Sequence, residues 1–422
     1  MHRQIAGKLT GRVTKWIVLV AALLLAGGAS TFASKLIDVQ NNEASSWLPA
    51  SAESTRALEK AEPFQDPNLI PTVIVYEREG GLTDADVAAA TADAQEFATL
   101  KGVEGEVLGP QPSEDGEVMQ TLVNFNFGAN GWMEMPDVAD NLRDIAALES
   151  GGGNVYVAGA GGQAADSSEV FEGIDGTLLF ATLGVVILIL LFTYRSPVLW
   201  ILPIMSAGVA LTISQGLIYF LAKYADLTVN GQSQAILTIL VIGAGTDYAL
   251  LLVARYREEL RRHEDRHEAM AFALHRAAPA ILASAATVAL GMLCLLFAEM
   301  NSTAGLGPVI AVGIAVTFVV MVTLLPALLV IMGRWIFWPK RPSFGSAEPT
   351  RTGFWARVGR GIAPRPRAVW AVTGVLLAIA CLGVLRLDTD GLPTEDAYTT
   401  EMESITGQQV LADHGLIDQS NT

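Results

Sequence analysis

The sequence predicts a polytopic α-helical membrane protein with about seven transmembrane helices and an extracytoplasmic α+β domain between the first two. Of the 422 residues, 51% are hydrophobic and only 17% are charged, a balance unlike that of an ordinary soluble protein. Seven apolar stretches have about 18 residues or more, which is enough to cross a bilayer. One long polar segment, 34–173, separates the first stretch from the others.

The predicted spans follow these apolar stretches directly. They are 16–33, 174–194, 198–222, 234–254, 278–298, 306–332 and 368–386. The first also resembles a secretory signal peptide, because basic residues precede its apolar core, but its length favours a retained helix. Both cysteines, Cys294 and Cys381, fall inside spans, which argues against a disulfide framework or a cysteine-based metal site.

Lys and Arg are concentrated in segments that share one side of the membrane. Residues 1–15 hold four of them, 255–276 hold six and 334–367 hold eight. Short loops rich in Lys and Arg remain in the cytoplasm. We therefore predict a cytoplasmic N-terminus (1–15), a cytoplasmic amphipathic loop (255–277) and a cytoplasmic linker (333–367), with 34–173 on the outside.

The outer segment is strongly acidic, with 25 Asp and Glu against six Lys and Arg, a net charge of −19. Such a charge argues against nucleic acid or anionic lipid headgroups as the ligand of this domain. We interpret most of these acids as a solvated surface.

Alternating patterns in the outer segment predict a β-α-β-β-α-β order. The predicted strands are 71–77, 105–109, 118–127 and 154–159, and the predicted helices are 83–100 and 136–150. Thr83 is placed at the N-cap of the first helix, and Pro136 opens the second. This order is typical of the split βαβ, ferredoxin-like fold.

Two short motifs are interpreted as structural. The stretch GAGGQA at 159–164 imitates a dinucleotide-binding motif, but the chain then runs into a span, so we expect a flexible connector. His263 and His267 are four residues apart and would share a helical face, yet no HExxH is present. A salt-bridged amphipathic helix at the membrane surface is the favoured interpretation of that loop.

An acidic residue interrupts the fourth span, in the stretch GAGTDYALLLVARY. Asp247 lies about thirteen residues into this span, where a charge costs about 2.5–3.5 kcal/mol on insertion scales. Gly243 shares its helical face and Gly245 lies close by, so a neighbouring helix can approach and shield the carboxylate from lipid. An acid kept near neutrality by burial could bind a proton from one side and release it to the other.

Three further polar residues are candidates for this site. Tyr248 could donate a hydrogen bond or help to orient Asp247, and Ser284 and Thr287 in the fifth span are possible polar neighbours. A hydroxyl in a membrane helix often bonds only its own backbone. The structural alternative for Asp247 is a hydrogen bond between helices.

The GxxxDY motif, here Gly243 to Tyr248, closely resembles the signature of the MMPL branch of the resistance-nodulation-division (RND) superfamily. These are large transporters that export lipids and other hydrophobic molecules. The resemblance extends to the order of one helix, an outer porter domain and five further helices. It implies a proton relay through Asp247 and Tyr248, and a porter domain that passes substrate outward.

The resemblance and the residues together predict a secondary active transporter in a bacterial cytoplasmic membrane. The expected energy source is the proton gradient, because the chain has no GxxxxGK[ST] motif for ATP hydrolysis. No cofactor, metal or nucleic acid is expected. The expected partners are membrane lipids, a hydrophobic small-molecule or lipid substrate, and either a second half of the transporter or another protomer.

A repeated Leu-Pro pair indicates the start of a second repeat in 387–422. Leu48-Pro49 follows the first span and Leu392-Pro393 follows the seventh, each after an early Asp. Since family members have two such repeats, we expect the chain to be the first part of a longer transporter. A lipid sensor or assembly scaffold of the same architecture is the alternative function.

Overall fold

Long apolar runs form the helices of this protein, and the polar segment between the first two forms a small sheet. The computed structural model describes residues 10–40, 68–78, 80–128, 131–146, 153–225, 227–346, 354–387 and 402–417, with isolated positions at 7, 49, 51–53, 56, 57, 60 and 66. The repeated Leu-Pro pair lies outside the described residues, since Leu48, Leu392 and Pro393 are not among them.

The helices and strands have the following bounds. The helices are α1 (Thr14–Ala33), α2 (Asp84–Phe97), α3 (Met135–Ile145), α4 (Gly159–Tyr194), α5 (Ile201–Tyr224), α6 (Gly231–Arg262), α7 (Arg266–Leu293), α8 (Asn301–Met332), α9 (Phe354–Ile362), α10 (Pro366–Cys381) and α11 (Glu403–Asp413). The strands are β1 (Leu69–Glu77), β2 (Leu108–Pro112), β3 (Val118–Asn126) and β4 (Asn154–Ala158). Turns of 3-10 helix extend α7 to Phe297, α8 to Phe337 and α10 to Arg386.

Six helices in the described part of the chain are long and apolar enough to cross a membrane. They are α1, α5 and α6, together with α7, α8 and α10 in their extended forms, and they coincide with six of the predicted spans. The remaining predicted span, 174–194, lies in α4, whose described apolar part, Leu179–Tyr194, is shorter. The chain is a mostly helical, multi-pass membrane protein with one small sheet.

Helices α5 to α8 pack around a shared apolar core that includes Tyr256, Leu274 and Leu325. Helix α1 packs against α5, where Gly216 permits a close approach, because a Cβ at this position would lie 2.9 Å from the Cβ of Ala29. Helix α10 buries none of its residues against the described parts of the chain.

The predicted separate helix at 255–277 is wrong, although the predicted salt bridges along this segment are present, as between Arg262 and Glu258. Helix α6 continues to Arg262 and α7 begins at Arg266, so a short turn joins two long helices. Asp265 caps α7 by accepting a hydrogen bond from the backbone N–H of His267 at 2.8 Å. An apolar run marks the part of a helix suited to lipid, whereas the helix itself continues through charged residues that pair along it. The predicted linker at 333–367 likewise contains α9.

The four strands form one antiparallel sheet in the order β2-β3-β1-β4. Their order along the chain, with α2 and α3 between them, follows the predicted β-α-β-β-α-β pattern. Both helices cover the same face of the sheet, where Phe97 and Leu142 pack with Ile74 and Phe125. The α+β prediction therefore holds for the described residues.

The second strand lies three residues later than its sequence pattern predicts. Strand β2 is Leu108–Pro112 rather than 105–109, and its pairing with β3 shifts register between Leu108 and Gln111. A proline usually interrupts a strand, so the pattern alone ends this strand before Pro110. Proline is nevertheless tolerated at a sheet edge or a bulge, and β2 lies at the edge.

The expected flexible connector at 159–164 is also wrong, because α4 begins at Gly159 directly after β4. A Cβ at Gly161 would lie 2.0 Å from Oγ1 of Thr72, and one at Gly162 would lie 2.2 Å from the carbonyl oxygen of Val157. These glycines allow the start of the helix to contact the sheet. The GAGGQA motif is therefore explained by packing.

Helix α11 covers the opposite face of the same sheet, although it follows α10 in the sequence. Leu411 packs there with Val75, Val118 and Ala158. The sequence predicts that this segment begins a second outer domain, and the structure places the described part of it against the first.

Charged residues bind the N-terminal end of α11 to the rest of the domain. Arg143 of α3 pairs with Glu403 at 2.8 Å and lies 3.6 Å from Asp166 of α4. Glu403 also accepts a hydrogen bond from the backbone N–H of Val157 at 2.7 Å, and Asp166 accepts one from that of Ser404 at 2.8 Å. Electrostatic contacts therefore join α11 to α3, β4 and α4.

Thr83 caps α2 as predicted, within a capping box completed by Asp86. The Asp86 side chain is only 2% exposed and forms two hydrogen bonds with Arg78, at 2.7 and 2.8 Å. These hydrogen bonds hold the pKa of Asp86 at about 2, below the ordinary value of 3.8. Since the folded state has the lower pKa, the stabilisation is present above about pH 4. It is lost as the pH falls toward 2.

We expect Asp86→Asn to lower the free energy of unfolding of the α+β domain by about 2 kcal/mol at pH 7, because it removes a charged hydrogen-bond acceptor and weakens a helix cap. Thermal unfolding of the purified protein at pH 7 and pH 3 measures this, and the difference from wild type should shrink at the lower pH. Asp84→Asn, an exposed change in the same helical turn, serves as the control. Equal effects of the two substitutions would argue against the Arg78 pair as the cause.

Candidate functional site

The candidate site lies in the middle of α6, which the side chain of Asn230 caps by accepting a hydrogen bond from the N–H of Ser233 at 2.8 Å. The helix continues without interruption past Asp247. Asp247 lies on the exposed side of the helical bundle, and no described residue forms a hydrogen bond or ion pair with its carboxylate. The carboxylate is thus fixed on a rigid helix but lacks a partner in the described chain.

An open cavity of about 370 Å³ adjoins this carboxylate. It is formed by α6, α7 and α8 and is lined by Ile239, Leu240, Gly243, Ala244, Asp247, Tyr248, Ser284, Val288 and Ile314. Apart from Asp247, Tyr248 and Ser284, the lining side chains are apolar. The cavity brings together four of the six predicted site residues.

Tyr248 is directed differently from its neighbour, since its side chain is only 2% exposed and packs in the bundle core. Its hydroxyl is buried, and its interaction with Ser284 falls short of hydrogen-bond geometry. A small rotation or an added water molecule could complete that contact. Tyr248 therefore joins the cavity to the core of the bundle.

The two glycines of the motif have different surroundings. A Cβ at Gly245 would lie 2.9 Å from Cε of Met321 and 3.4 Å from Cβ of Ala207, so this glycine allows α5 and α8 to approach. A Cβ at Gly243 would have no atom of another described helix within 4 Å. Our expectation that a helix shields Asp247 at Gly243 is not met by the described helices, because that face is on the outside of the bundle.

The two predicted hydroxyl neighbours also differ. Ser284 lines the cavity with Asp247 and Tyr248, whereas Thr287 donates its hydroxyl to the carbonyl of Ala283 at 2.8 Å. Thr287 thus makes the local backbone bond common for hydroxyl groups in membrane helices. We keep Ser284 as a member of the site and assign Thr287 no direct role in it.

Comparison with known proteins establishes the family. The family model described as MMPL family matches residues 46–369. The chain belongs to the MMPL family. It is 53% identical to the membrane protein ActII-3 of Streptomyces coelicolor, over 96% of this chain and 57% of that protein.

Two more distant relatives carry names that state a function. The MMPL chain is 28% identical to the apo-petrobactin exporter of Bacillus anthracis, over 98% of this chain and 60% of the exporter. It is 35% identical to the sulfolipid-1 exporter MmpL8 of Mycobacterium tuberculosis, over 56% of this chain and 21% of the exporter. The chain thus spans about three fifths of the length of ActII-3 and the petrobactin exporter.

A second cavity of the MMPL chain, of about 210 Å³, adjoins the first and was missed by the sequence analysis. Ile239 lines both cavities, and Gln215, Gln234 and Thr238 bring polar groups to the second. Gln234 also accepts a hydrogen bond from the side-chain amide of Gln40 at 2.7 Å. In the sequence, Gln215 and Gln234 are polar residues within apolar runs, and they could have indicated this cavity.

The α+β domain has one cluster of possible metal ligands among its described residues, in which Asp115, Glu117 and His414 place atoms within 4.8 Å of one another. Asp115 already accepts hydrogen bonds from Ser113, the N–H of Glu117 and His414. These bonds, with that from Ser113 foremost, hold the pKa of Asp115 at about 2. We interpret the cluster as a contact between α11 and the turn that joins β2 and β3.

His263 and His267 do not face a common site. His263 lies 3.4 Å from Glu259 and stacks on Phe272, whereas Nδ1 of His267 lies 2.7 Å from the carbonyl oxygen of Thr10. Each ring has separate neighbours, so the two histidines serve local packing.

Proposed function

We propose that this MMPL chain belongs to a proton-driven exporter of lipids or other hydrophobic small molecules across the cytoplasmic membrane. The observation that carries the proposal is the position of Asp247, a carboxylate without a described partner, halfway along an apolar helix and facing a cavity. An acid in such a place is costly to insert and is by default a functional residue. The names of two relatives, a petrobactin exporter and a sulfolipid-1 exporter, support export as the activity.

In the proposed cycle, Asp247 binds a proton from one side of the membrane and releases it to the other. Moving one charge across the membrane is worth about 2.3 kcal/mol per 100 mV, which supplies the driving force. Neutralising the carboxylate changes how well its face packs against another apolar surface. Protonation therefore shifts the bundle between two arrangements.

Tyr248 and Ser284 position this proton transfer in our proposal. The Tyr248 hydroxyl is buried beside Ser284, and both residues line the cavity of Asp247. Two neighbouring hydroxyl groups that are not hydrogen-bonded to each other can take new partners when Asp247 changes its charge. The exposed face around Gly243 fits a partner helix, supplied by a second half of the transporter or by another protomer.

The outer α+β domain is the porter domain in this proposal, and it passes the substrate outward. The ion pair between Arg143 and Glu403, and the hydrogen bond from the N–H of Ser404 to Asp166, connect this domain to α11, which follows α10. With α4 as a further span, the chain crosses the membrane seven times, and the arginine-rich ends of α6 and α7 face the cytoplasm. The proposal requires no cofactor.

Transport in proteoliposomes tests this function. The protein, expressed from its complete reading frame, is reconstituted with an internal fluorescent pH indicator, and export of a siderophore or a labelled lipid is followed under an imposed pH gradient. We expect a protonophore to abolish export and substrate to increase proton flux. Export that is unaffected by the protonophore, or binding of substrate without any flux, would instead support the sensor or scaffold alternative.

A further inference from the structure

The end of the bundle where α6 meets α7 is rich in arginine, and most of these side chains have partners. Arg255 pairs with Glu258, Arg262 with Glu258 and Glu259, and Arg276 with Glu259. Arg334 donates to the carbonyls of Leu260, His263 and Glu264. Glu258 and Glu259 thus offset part of the positive charge at this end, while Arg276 and Arg334 join α7 and the end of α8 to α6 and the turn after it.

Arg195 and Arg257 differ from this set. In the described chain, neither guanidinium group forms an ion pair or a hydrogen bond. Arg195 follows α4 in a left-handed conformation with φ of 52° and is exposed, whereas Arg257 is partly buried on α6. Two cations that remain unpaired beside many paired ones call for a separate explanation.

The fold brings these two arginines to one place. Ser196, next to Arg195, donates its buried hydroxyl to the carbonyl of Ile336 at 2.8 Å. The adjacent Phe337 places its ring centre 6.0 Å from the guanidinium carbon of Arg257. The turn after α4 and the end of α8 therefore bracket the Arg257 side chain.

Arg261 lies one helical turn beyond Arg257, and the charges of Arg195 and Arg261 lie near enough to repel that of Arg257. The backbone of Arg261 is fixed, because its carbonyl accepts a hydrogen bond from the N–H of Gly345 at 2.9 Å. A bound anion would stabilise Arg257 among these like charges. Guanidinium groups are well suited to phosphate, which they bind with paired hydrogen bonds.

The surroundings indicate the source of this anion. Trp335 and Trp338 flank Phe337 and are 50% and 49% exposed. Tryptophan is enriched at the level of lipid headgroups, where its ring is partly apolar and partly hydrated. The three arginines lie at the same end of the apolar helices as these two tryptophans.

We propose that Arg195, Arg257 and Arg261 form a binding site for the phosphate of an anionic phospholipid headgroup. Basic pockets between membrane helices are known to recognise such headgroups. The inference requires only that the chain is a membrane protein, so it stands apart from proton-coupled export. The site fixes the contact between α4, α6 and the end of α8 when the lipid is bound.

Lipid titration of the purified protein tests this site. Thermal unfolding in a neutral detergent is measured with added phosphatidylglycerol, phosphatidylcholine or inorganic phosphate, for wild type and Arg257→Gln. We expect phosphatidylglycerol to raise the Tm of the wild-type protein more than phosphatidylcholine does. Arg257→Gln should weaken the apparent affinity for phosphatidylglycerol by about tenfold, as the loss of a charged hydrogen bond implies.

Two further variants keep the test decisive. Arg360→Gln removes an equal charge from α9 and should leave the phosphatidylglycerol response unchanged. Arg195→Gln alters an exposed side chain, so it reports on the site even if Arg257→Gln fails to fold. Equal losses in Arg360→Gln, an equal response to phosphatidylcholine, or saturation by inorganic phosphate in place of the lipid would each overturn the proposal.

Discussion

Asp247→Asn is expected to abolish proton-dependent export while the protein still folds and reaches the membrane. Asparagine has nearly the same shape as protonated aspartate but cannot carry a proton between the two sides. Because Asp247 forms no ion pair with the described residues, its replacement leaves no buried charge without a partner. Loss of a positioned proton-transfer group typically costs about 10²-fold or more in rate. Substrate efflux and internal pH, measured together in proteoliposomes, report this loss.

Thr287→Val is the matched control for this prediction. Thr287 lies on α7 near the site, but its hydroxyl is bonded to its own helix at Ala283. Its removal should leave the export rate within about twofold of wild type, since such hydroxyl bonds contribute little to function. Proton-dependent export by Asp247→Asn at the wild-type rate would refute the relay. A loss in both variants would indicate general damage to the bundle.

Gly245→Leu is expected to destabilise the bundle, whereas Gly243→Leu is expected to leave its stability nearly unchanged. At Gly245 even a Cβ would lie within 3.4 Å of Met321, Ala207 and Thr317, so the longer side chain must separate α6 from α5 and α8. Overpacking of this kind costs about 1–3 kcal/mol. Thermal unfolding of the purified variants measures the difference.

The same pair of variants separates packing from transport. Gly243→Leu places a bulky side chain in the cavity beside Asp247, where the described chain leaves space. We expect a stable protein with reduced export, because the partner surface can no longer approach this face. Gly243→Ala should retain export. If Gly243→Leu proved as unstable as Gly245→Leu, the assignment of the two glycines to different surroundings would be wrong.

Local patterns predict much of the fold. The capping of α2 by Thr83 and the order of the strands depend on residues close together in the sequence, where hydrogen bonds and side-chain alternation leave a direct signal. Such patterns do not predict where α6 ends or where α7 begins, because an apolar run marks the part of a helix that suits lipid and not the full length of the helix. The pairing of Arg262 with Glu258 continues the helix beyond that run.

The candidate site is predictable in its chemistry but less so in its surroundings. An acid among apolar residues is visible in the sequence, so Asp247 can be identified without coordinates. Which side of α6 faces other helices depends on packing between distant segments, and the sequence does not encode it locally. For this reason the contacts expected at Gly243 and Thr287 are not made by the described helices.

Because α11 packs on a sheet formed much earlier in the chain, the α+β domain can be completed only late in synthesis. Glu403 follows Val157, whose backbone it contacts, by 246 residues. The ribosome must therefore synthesise several membrane helices before α11 can bind to the sheet. Until α11 is in place, the side chains of Val75, Val118 and Ala158 remain exposed, although all three are fully buried in the folded protein. A recombinant α+β domain should therefore include both the start of α4, which carries Asp166, and the 402–417 segment that binds to it.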